Sequence, residues 1–277
     1  MTKKILRLLF FVFILLFLVV RYFHSEIQMT EVAISPMECD EYEETDSILA
    51  IRKQHRSWLE YTYNQGYCAQ YQLTSSAVIN STSFRNSLVF EDQSSEMNFW
   101  SEVYFALYQH DRDQLILLQD SLQHLGELYQ LDRGSFARFI VSFVQDIPYN
   151  YIAPGNCAEY TGHPCVPDVQ FGILSPIEFL YSLQGDCDTR TVLLYTLLHN
   201  FGYDPLIINS REYRHSMLAL DIPASGESFI YKGRTYSYWE TTNIGWLPGM
   251  LPPDMNNKDY WTVALDYEFK TNTAGVY

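Results

Sequence analysis

Residues 185–190, Gly-Asp-Cys-Asp-Thr-Arg, lead directly into the apolar run 191–198 and constrain the fold more than any other segment. Asp186 suits the N-cap of a helix, because its carboxylate can accept hydrogen bonds from the unpaired N–H groups of a first turn. The apolar residues recur with helical spacing, and Gly202 suits the left-handed residue that ends a helix. The sequence therefore predicts Cys187 in the first turn of a buried helix, where the helix dipole favours the thiolate and a nucleophile would be well placed.

The N-terminus has the pattern of an export signal. Lys3, Lys4 and Arg7 accompany an apolar segment, and residues 5–23 are close in number to the roughly 20 that span a bilayer. No small-x-small cleavage pattern follows. We therefore expect an uncleaved anchor over residues 1–23 with a cytoplasmic N-terminus and the main domain periplasmic or extracellular. A cleaved signal peptide, which would leave the protein secreted, is the alternative.

Five cysteines in an exported chain predict two disulfides and one free thiol, Cys187. The candidates for disulfide bonding are Cys39, Cys68, Cys157 and Cys165. Sequence alone does not fix their pairing, although the eight-residue spacing of Cys157 and Cys165 within one loop suits a clip. A metal site from these two cysteines and His163 is the alternative, but it lacks a fourth ligand and the usual zinc spacing. No metal and no cofactor is expected.

The charge of the chain bears on its partners. A net charge of −15 argues against nucleic acid, because phosphate binding needs clustered Lys and Arg and no basic stripe follows residue 7. Acidic residues concentrate towards the end of residues 24–46, which we interpret as an irregular stalk between anchor and domain.

The rest of the chain divides by its hydrophobic periodicity into a mostly helical region, 47–134, and a catalytic domain, 135–277. The first region is predicted to contain an amphipathic helix over 47–72, a polar loop over 74–95, and helices over 99–107 and 115–129. The second is predicted to contain a helix over 135–145, a helix start capped by Ser175, and strands over 205–209, 215–222, 229–231, 235–240 and 260–269. Helices followed by strands indicate an α+β fold in which the cysteine helix packs on an antiparallel sheet.

The residues that suit a thiol nucleophile occur downstream of Cys187. A thiolate needs an imidazole within hydrogen-bond reach, and the imidazole needs a polar group that holds its far nitrogen. His215 begins one predicted strand and Glu240 ends another. If these strands pair, the helix start and the two strand ends converge. Asp221 and Asp266 are alternative strand carboxylates.

Three further residues are candidates for the surroundings of the thiol. Attack on a carbonyl produces an oxyanion, which needs hydrogen-bond donors. The backbone N–H of Cys187 is one donor, and Gln145 or a nearby Trp is a candidate for a second. Asp186 and Asp188 flank the cysteine and are expected to act as helix caps and salt-bridge partners rather than as catalytic groups.

Residues 135–247 resemble the transglutaminase-like cysteine-enzyme superfamily. The resemblance rests on His215 at a strand start and on the motifs Val-Gln-Asp-Ile-Pro-Tyr (144–149), Ser-Pro-Ile-Glu (175–178), Gly-Asp-Cys-Asp (185–188), Gly-Tyr-Asp (202–204) and Tyr-Trp-Glu-Thr-Thr (238–242). It implies a transglutaminase-like, papain-like core with a catalytic triad of Cys187, His215 and Glu240. Many members have Asp in the third position, where this chain has Glu.

The resemblance implies acyl transfer at an amide through a thioester on Cys187. Release to water would make the protein a peptidase or amidase, and release to an amine would make it a cross-linking transferase. The expected function is that of a membrane-anchored, extracytoplasmic thiol enzyme acting on a peptide, protein or cell-envelope amide. The alternative is a catalytically inactive binding or assembly module with the same fold. A redox thiol role is disfavoured because the chain has no Cys-x-x-Cys.

Overall fold

The computed structural model describes the backbone of residues 42–46 and residues 51–90, 96–160, 162 and 164–268. The predicted anchor 1–23, most of the predicted stalk, Cys39 and His163 lie outside the described residues. Within the described ranges, every helix is too short or too polar to cross a membrane.

The described residues form helices and mainly antiparallel strands. The helices are α1 (Ser75–Ser87), α2 (Glu96–Asp111), α3 (Ile116–Leu128), α4 (Arg133–Gln145), α5 (Pro176–Ser182) and α6 (Cys187–Asn200). The strands are β1 (Tyr42–Asp46), β2 (Ile51–Glu60), β3 (Gln65–Thr74), β4 (Tyr151–Ile152), β5 (Cys165–Val166), β6 (Leu206–Ser210), β7 (His215–Leu220), β8 (Ser228–Tyr231), β9 (Arg234–Trp239) and β10 (Thr262–Leu265). Short 3-10 turns cover Arg112–Leu115, Gln170–Gly172, Pro253–Met255 and Lys258–Tyr260.

The larger sheet has the strand order β10-β6-β7-β9-β8, and all its neighbouring strands are antiparallel. The predicted strands after Gly202 are confirmed, as is the packing of the cysteine helix α6 on the sheet, mainly against β7. Lys232 and Gly233 both have positive φ and join β8 to β9, which suits a tight hairpin turn. Because β7 and β9 are antiparallel neighbours, the start of β7 and the end of β9 lie at the same end of the sheet.

The predicted helix over residues 47–72 is wrong where the structure describes it. Residues 51–74 form the hairpin β2–β3, which pairs over ten positions on each strand. Along β2 every second residue is buried, and these residues are Gln54, Arg56, Trp58 and Glu60. Three of the four are polar, so the buried face carries no alternation of hydrophobicity. The apolar residues of this segment recur at a helical spacing that does not reflect its structure, and the predicted helix was based on that spacing.

Two neighbouring segments also differ from prediction. Residues 75–87 of the predicted loop form α1, which is capped by Thr74. The buried residues of the helix are polar, Ser81 and Arg85, and Arg85 forms two 2.9 Å hydrogen bonds with Glu178. Residues 42–46 of the predicted stalk form β1, which pairs with β2 and thus belongs to the smaller sheet β1-β2-β3.

A single hydrophobic core includes residues from both sides of the predicted boundary at 134/135. Trp58 of β2 lies with its ring centroid 5.2 Å from that of Phe139 and 5.1 Å from that of Phe143, both in α4. The same cluster continues through Leu193 of α6 to Leu218 of β7. The smaller sheet and the helices of the first region therefore belong to the same hydrophobic core as the cysteine helix α6.

The predicted clip in the loop after α4 is confirmed, since Cys157 and Cys165 form a disulfide. Cys68 is also disulfide-bonded, and Cys187 is a free cysteine. The bonded sulfurs of Cys157 and Cys165 are not available to a metal ion. Across the part of the chain that the structure describes, there is no group of three or more His, Cys, Asp or Glu that could hold one.

Candidate active site

The cysteine turn has the predicted geometry. Asp186 is the N-cap of α6, and its side chain accepts a 3.2 Å hydrogen bond from the N–H of Thr189. Cys187 is the first residue of the helix and is only 6% exposed. Gly185 is required here because a Cβ at this position would lie 2.7 Å from the ring of Phe179. Close packing of the turn therefore leaves no room for a side chain at residue 185.

A fully buried arginine, which the sequence analysis did not single out, ties this turn to the rest of the site. The guanidinium of Arg190 donates to the carbonyl oxygens of Val144 (2.8 Å), Gly185 (3.2 Å), Thr241 (3.4 Å) and Ile147. These oxygens belong to the end of α4, the cysteine turn and the segment after β9. The sequence signal was a cation directly before the apolar run 191–198.

The predicted histidine–carboxylate pair is present. His215 Nε2 lies 2.8 Å from Oε2 of Glu240, which is 1% exposed. The other carboxylate oxygen accepts hydrogen bonds from the N–H of Thr241 (2.7 Å) and from the N–H (3.0 Å) and hydroxyl (2.8 Å) of Thr242. Burial raises the pKa of Glu240, but these hydrogen bonds and the charge of His215 outweigh it and lower that pKa. Glu240 is therefore held as a carboxylate.

The sulfur of Cys187 and the ring of His215 lie close enough for each to shift the pKa of the other. Glu240 binds Nε2, so Nδ1 is the ring nitrogen left for the sulfur. Burial lowers the pKa of His215, but the charge of Cys187 and the hydrogen bonds to the sulfur and to Glu240 raise it well above its usual value. The structure thus brings Cys187, His215 and Glu240 together in the predicted order.

The sequence-based expectation of a favoured thiolate is wrong in direction. Burial and then the charge of Asp188 raise the pKa of the Cys187 thiol, and His215 lowers it by less. One carboxylate oxygen of Asp188 lies 3.8 Å from the sulfur. The other carboxylate oxygen accepts a hydrogen bond from the hydroxyl of Tyr104, a fully buried residue of α2 that the sequence analysis missed. Asp188 is therefore a negative neighbour of the thiol rather than a salt-bridge partner.

Gln145 does not fit the predicted oxyanion role. Its Nε2 donates to the carbonyl oxygens of Glu240 (2.7 Å) and Trp246 (3.0 Å), so both of its amide protons are in use. It instead fixes the backbone that carries Glu240. Asp221 and Asp266 are engaged elsewhere, with Arg234 and Lys232 respectively. Glu240 is therefore the carboxylate that serves His215.

Removing the charge of Asp188 is expected to make Cys187 reactive at lower pH. A raised thiol pKa means that the thiolate appears only as the pH rises through that pKa. Asp188→Asn keeps an acceptor for Tyr104 and should lower the midpoint of the pH profile for iodoacetamide alkylation by about 1 unit.

Asp186→Asn is the matched control for this prediction. Asn is also a good N-cap, and Asp186 contributes less than Asp188 to the raised thiol pKa, so its midpoint should change little. An unchanged or higher midpoint in Asp188→Asn would contradict the assigned role of Asp188.

Comparison with known proteins gives no independent guide to this site. No family model matches the chain, and neither a curated protein nor a solved structure matches it. The chemistry of the site is therefore inferred from its own geometry.

Proposed function

We propose that the protein is a thiol enzyme that transfers acyl groups from amide bonds, with Cys187 as nucleophile, His215 as base and Glu240 as the group that orients His215. The carrying observation is the position of the His215 ring between the sulfur and a carboxylate whose two oxygens accept four hydrogen bonds. That arrangement fixes both the tautomer and the orientation of the ring, as a base for a thiol requires. The sequence motifs that resemble the transglutaminase-like superfamily support the same reaction and a papain-like core.

The reaction follows from the order of the three groups. Nδ1 of His215 takes the thiol proton of Cys187 as the sulfur attacks the carbonyl carbon, and a C–S bond forms. The imidazolium then gives this proton to the departing amine as the C–N bond breaks, which leaves a thioester on Cys187. Water or a second amine next attacks the thioester carbon and gives a proton to His215. The C–S bond then breaks, the acid or new amide leaves, and His215 returns the proton to the sulfur to restore the thiol. Glu240 stabilises the imidazolium throughout.

Opposing electrostatic effects determine the protonation states of Cys187 and His215 before substrate binds. The charge of the sulfur raises the pKa of His215, and His215 lowers the pKa of the thiol, so each favours the charged form of the other. Burial and Asp188 act against the thiolate. Substrate binding that shields the sulfur from Asp188 would therefore favour attack.

The location and substrate class belong to the same proposal. The basic and apolar pattern of residues 1–23 supports a membrane anchor with the domain outside the cytoplasm. The disulfide between Cys157 and Cys165 supports an oxidising compartment. A peptide, protein or cell-envelope amide would be within reach of such an enzyme.

Acylation of the full-length protein with p-nitrophenyl acetate tests the proposal. We expect one acetyl group per chain by intact mass, located on Cys187 by peptide mapping and removed by hydroxylamine, as a thioester is. Cys187→Ser is the matched control and should not gain this thioester. Acetylation confined to lysines would contradict the proposal.

A non-catalytic binding or assembly module is the second candidate, and the burial of the thiol favours it. Cys187 is 6% exposed and its pKa is raised, as for an inert core cysteine. This function predicts that iodoacetamide and p-nitrophenyl acetate modify Cys187 only after the protein is unfolded in denaturant. Modification of the folded protein would exclude it.

A further inference from the structure

A cavity of about 610 Å³ lies against the larger sheet, on the face that carries a separate hydrophobic cluster from the one that contains α6. Its walls come from β6, β8, β9, β10 and the residue before β10, and they include Ile208, Phe229, Tyr231, Tyr238, Trp261 and Val263. Three of these residues, Phe229, Tyr231 and Val263, are half-buried, so the cavity is open to solvent. Its volume is ordinary for a pocket that holds a small molecule or a side chain.

The cavity and the proposed base share one face of the sheet and one wall. His215 lies two residues before Met217 on β7, and Met217 pairs with Ile208 of the cavity wall. Because side chains alternate along a strand, His215 and Met217 lie on the same side of β7. Trp261 lines the cavity and also packs edge-on against His215, with the two ring centroids 6.0 Å apart. A group bound against Trp261 would therefore lie beside the proposed base.

The polar groups of two aromatic walls and of the charged rim are used within the protein. The indole N–H of Trp261 donates to a main-chain carbonyl oxygen at 3.0 Å, and the hydroxyl of Tyr231 donates to Asp266 at 2.9 Å. Lys258, at the rim, pairs with Glu227 at 2.8 Å. A saccharide would have to exchange water for aromatic rings around its hydroxyl groups, which costs free energy. These walls therefore favour an aromatic or apolar side chain as the occupant.

We propose that this cavity binds an aromatic or large apolar side chain of the peptide residue whose carbonyl Cys187 attacks; this inference rests on the proposed acyl-transfer function. That residue stays on the sulfur as the thioester, so a site that anchors it serves both acylation and release. Burial of its side chain supplies binding free energy away from the reacting bond. The wall formed by Trp261 brings the attached main chain towards His215.

Two esters with the same leaving group test the inference on the full-length protein: the p-nitrophenyl esters of N-acetyl-L-phenylalanine and of N-acetylglycine. Each rate of acylation of Cys187 is divided by the rate at which the same ester acylates free N-acetylcysteine, which removes the intrinsic reactivity of the ester. We expect the phenylalanine ester to be favoured at least about 10-fold after this correction. Equal corrected rates for the two esters would overturn the inference.

Val263→Trp should fill the cavity with an indole ring and reduce the preference for the phenylalanine ester to within about 2-fold. Ile230→Trp is the matched control, since Ile230 also lies in a strand of this sheet but is 78% exposed, and it should keep the full preference. An equal loss of preference in the two variants would overturn the inference, as would an unchanged preference in Val263→Trp.

Inhibition of the wild-type protein provides a test that does not depend on the folding of a variant. N-acetyl-L-phenylalaninamide should slow acylation by the phenylalanine ester at concentrations at least about 10-fold lower than N-acetylglycinamide does. Stronger inhibition by N,N′-diacetylchitobiose than by the phenylalanine amide would assign the cavity to a saccharide and overturn the inference. A wild type that neither ester acylates overturns the proposed function as well, whereas a wild type acylated by both at equal corrected rates overturns this inference alone.

Discussion

Glu240→Gln is expected to slow the acylation of Cys187 by p-nitrophenyl acetate about 10³-fold, while the protein remains folded. The amide oxygen of glutamine can keep the three hydrogen bonds from Thr241 and Thr242 that hold the carboxylate now. Its amide nitrogen would then face Nε2 of His215 and donate a proton to it. The neutral ring would carry its own proton on Nδ1, facing the sulfur, and could not accept the thiol proton.

Glu227→Gln provides the matched control for this prediction. Glu227 is exposed and pairs with Lys258 at 2.8 Å on the surface, so its neutralisation should leave the acylation rate within about 2-fold of wild type. The rates are measured from the release of p-nitrophenolate at a fixed pH. A Glu240→Gln rate within 10-fold of wild type would mean that Glu240 does not set the tautomer of His215.

Arg190→Lys is expected to lower the free energy of unfolding by about 2–4 kcal/mol and to slow acylation as well. The planar guanidinium reaches four main-chain oxygens in three segments. A lysine ammonium has three protons around one atom and cannot reach all four oxygens. At least one buried carbonyl would lose its donor, and the cysteine turn would lose its tie to Thr241, next to Glu240.

Urea unfolding followed by circular dichroism measures this effect, with Arg133→Lys as the control. Arg133 is exposed and donates to one carbonyl oxygen, that of Gly202. Its replacement should change the free energy of unfolding by less than about 0.5 kcal/mol. Equal losses in the two variants would show that burial and the number of acceptors at Arg190 do not matter.

Most elements that bury apolar residues were predicted correctly from the sequence, whereas elements that bury polar residues were not. The cysteine helix and the strands after Gly202 bury apolar residues, so their hydrophobic periodicity could be recognised and their positions were predicted correctly. Strand β2 buries Gln54, Arg56 and Glu60, and α1 is anchored through Arg85. Strand β3 is the exception: it buries apolar residues at every second position, which the predicted helix overlooked, namely Tyr67, Ala69, Tyr71 and Leu73. Polar residues whose partners are distant in sequence leave no hydrophobic period to read.

The same distinction holds within the candidate site. Cys187, His215 and Glu240 were predictable because each lies at the end of an element that the sequence defines. The roles of Tyr104 and Arg190 were not, because they depend on contacts more than 40 residues away along the chain. Gln145 was given the wrong role for the same reason: its acceptors, Glu240 and Trp246, are about 100 residues distant.

The sequence by itself determined that Cys187 begins a buried helix, since the cap, the apolar period and the terminating glycine are all local signals. The tertiary structure decided the state of the thiol. Burial and Asp188 raise its pKa, although the start of a helix alone would lower it, because charges and solvent exclusion depend on which groups the whole fold brings within a few ångströms.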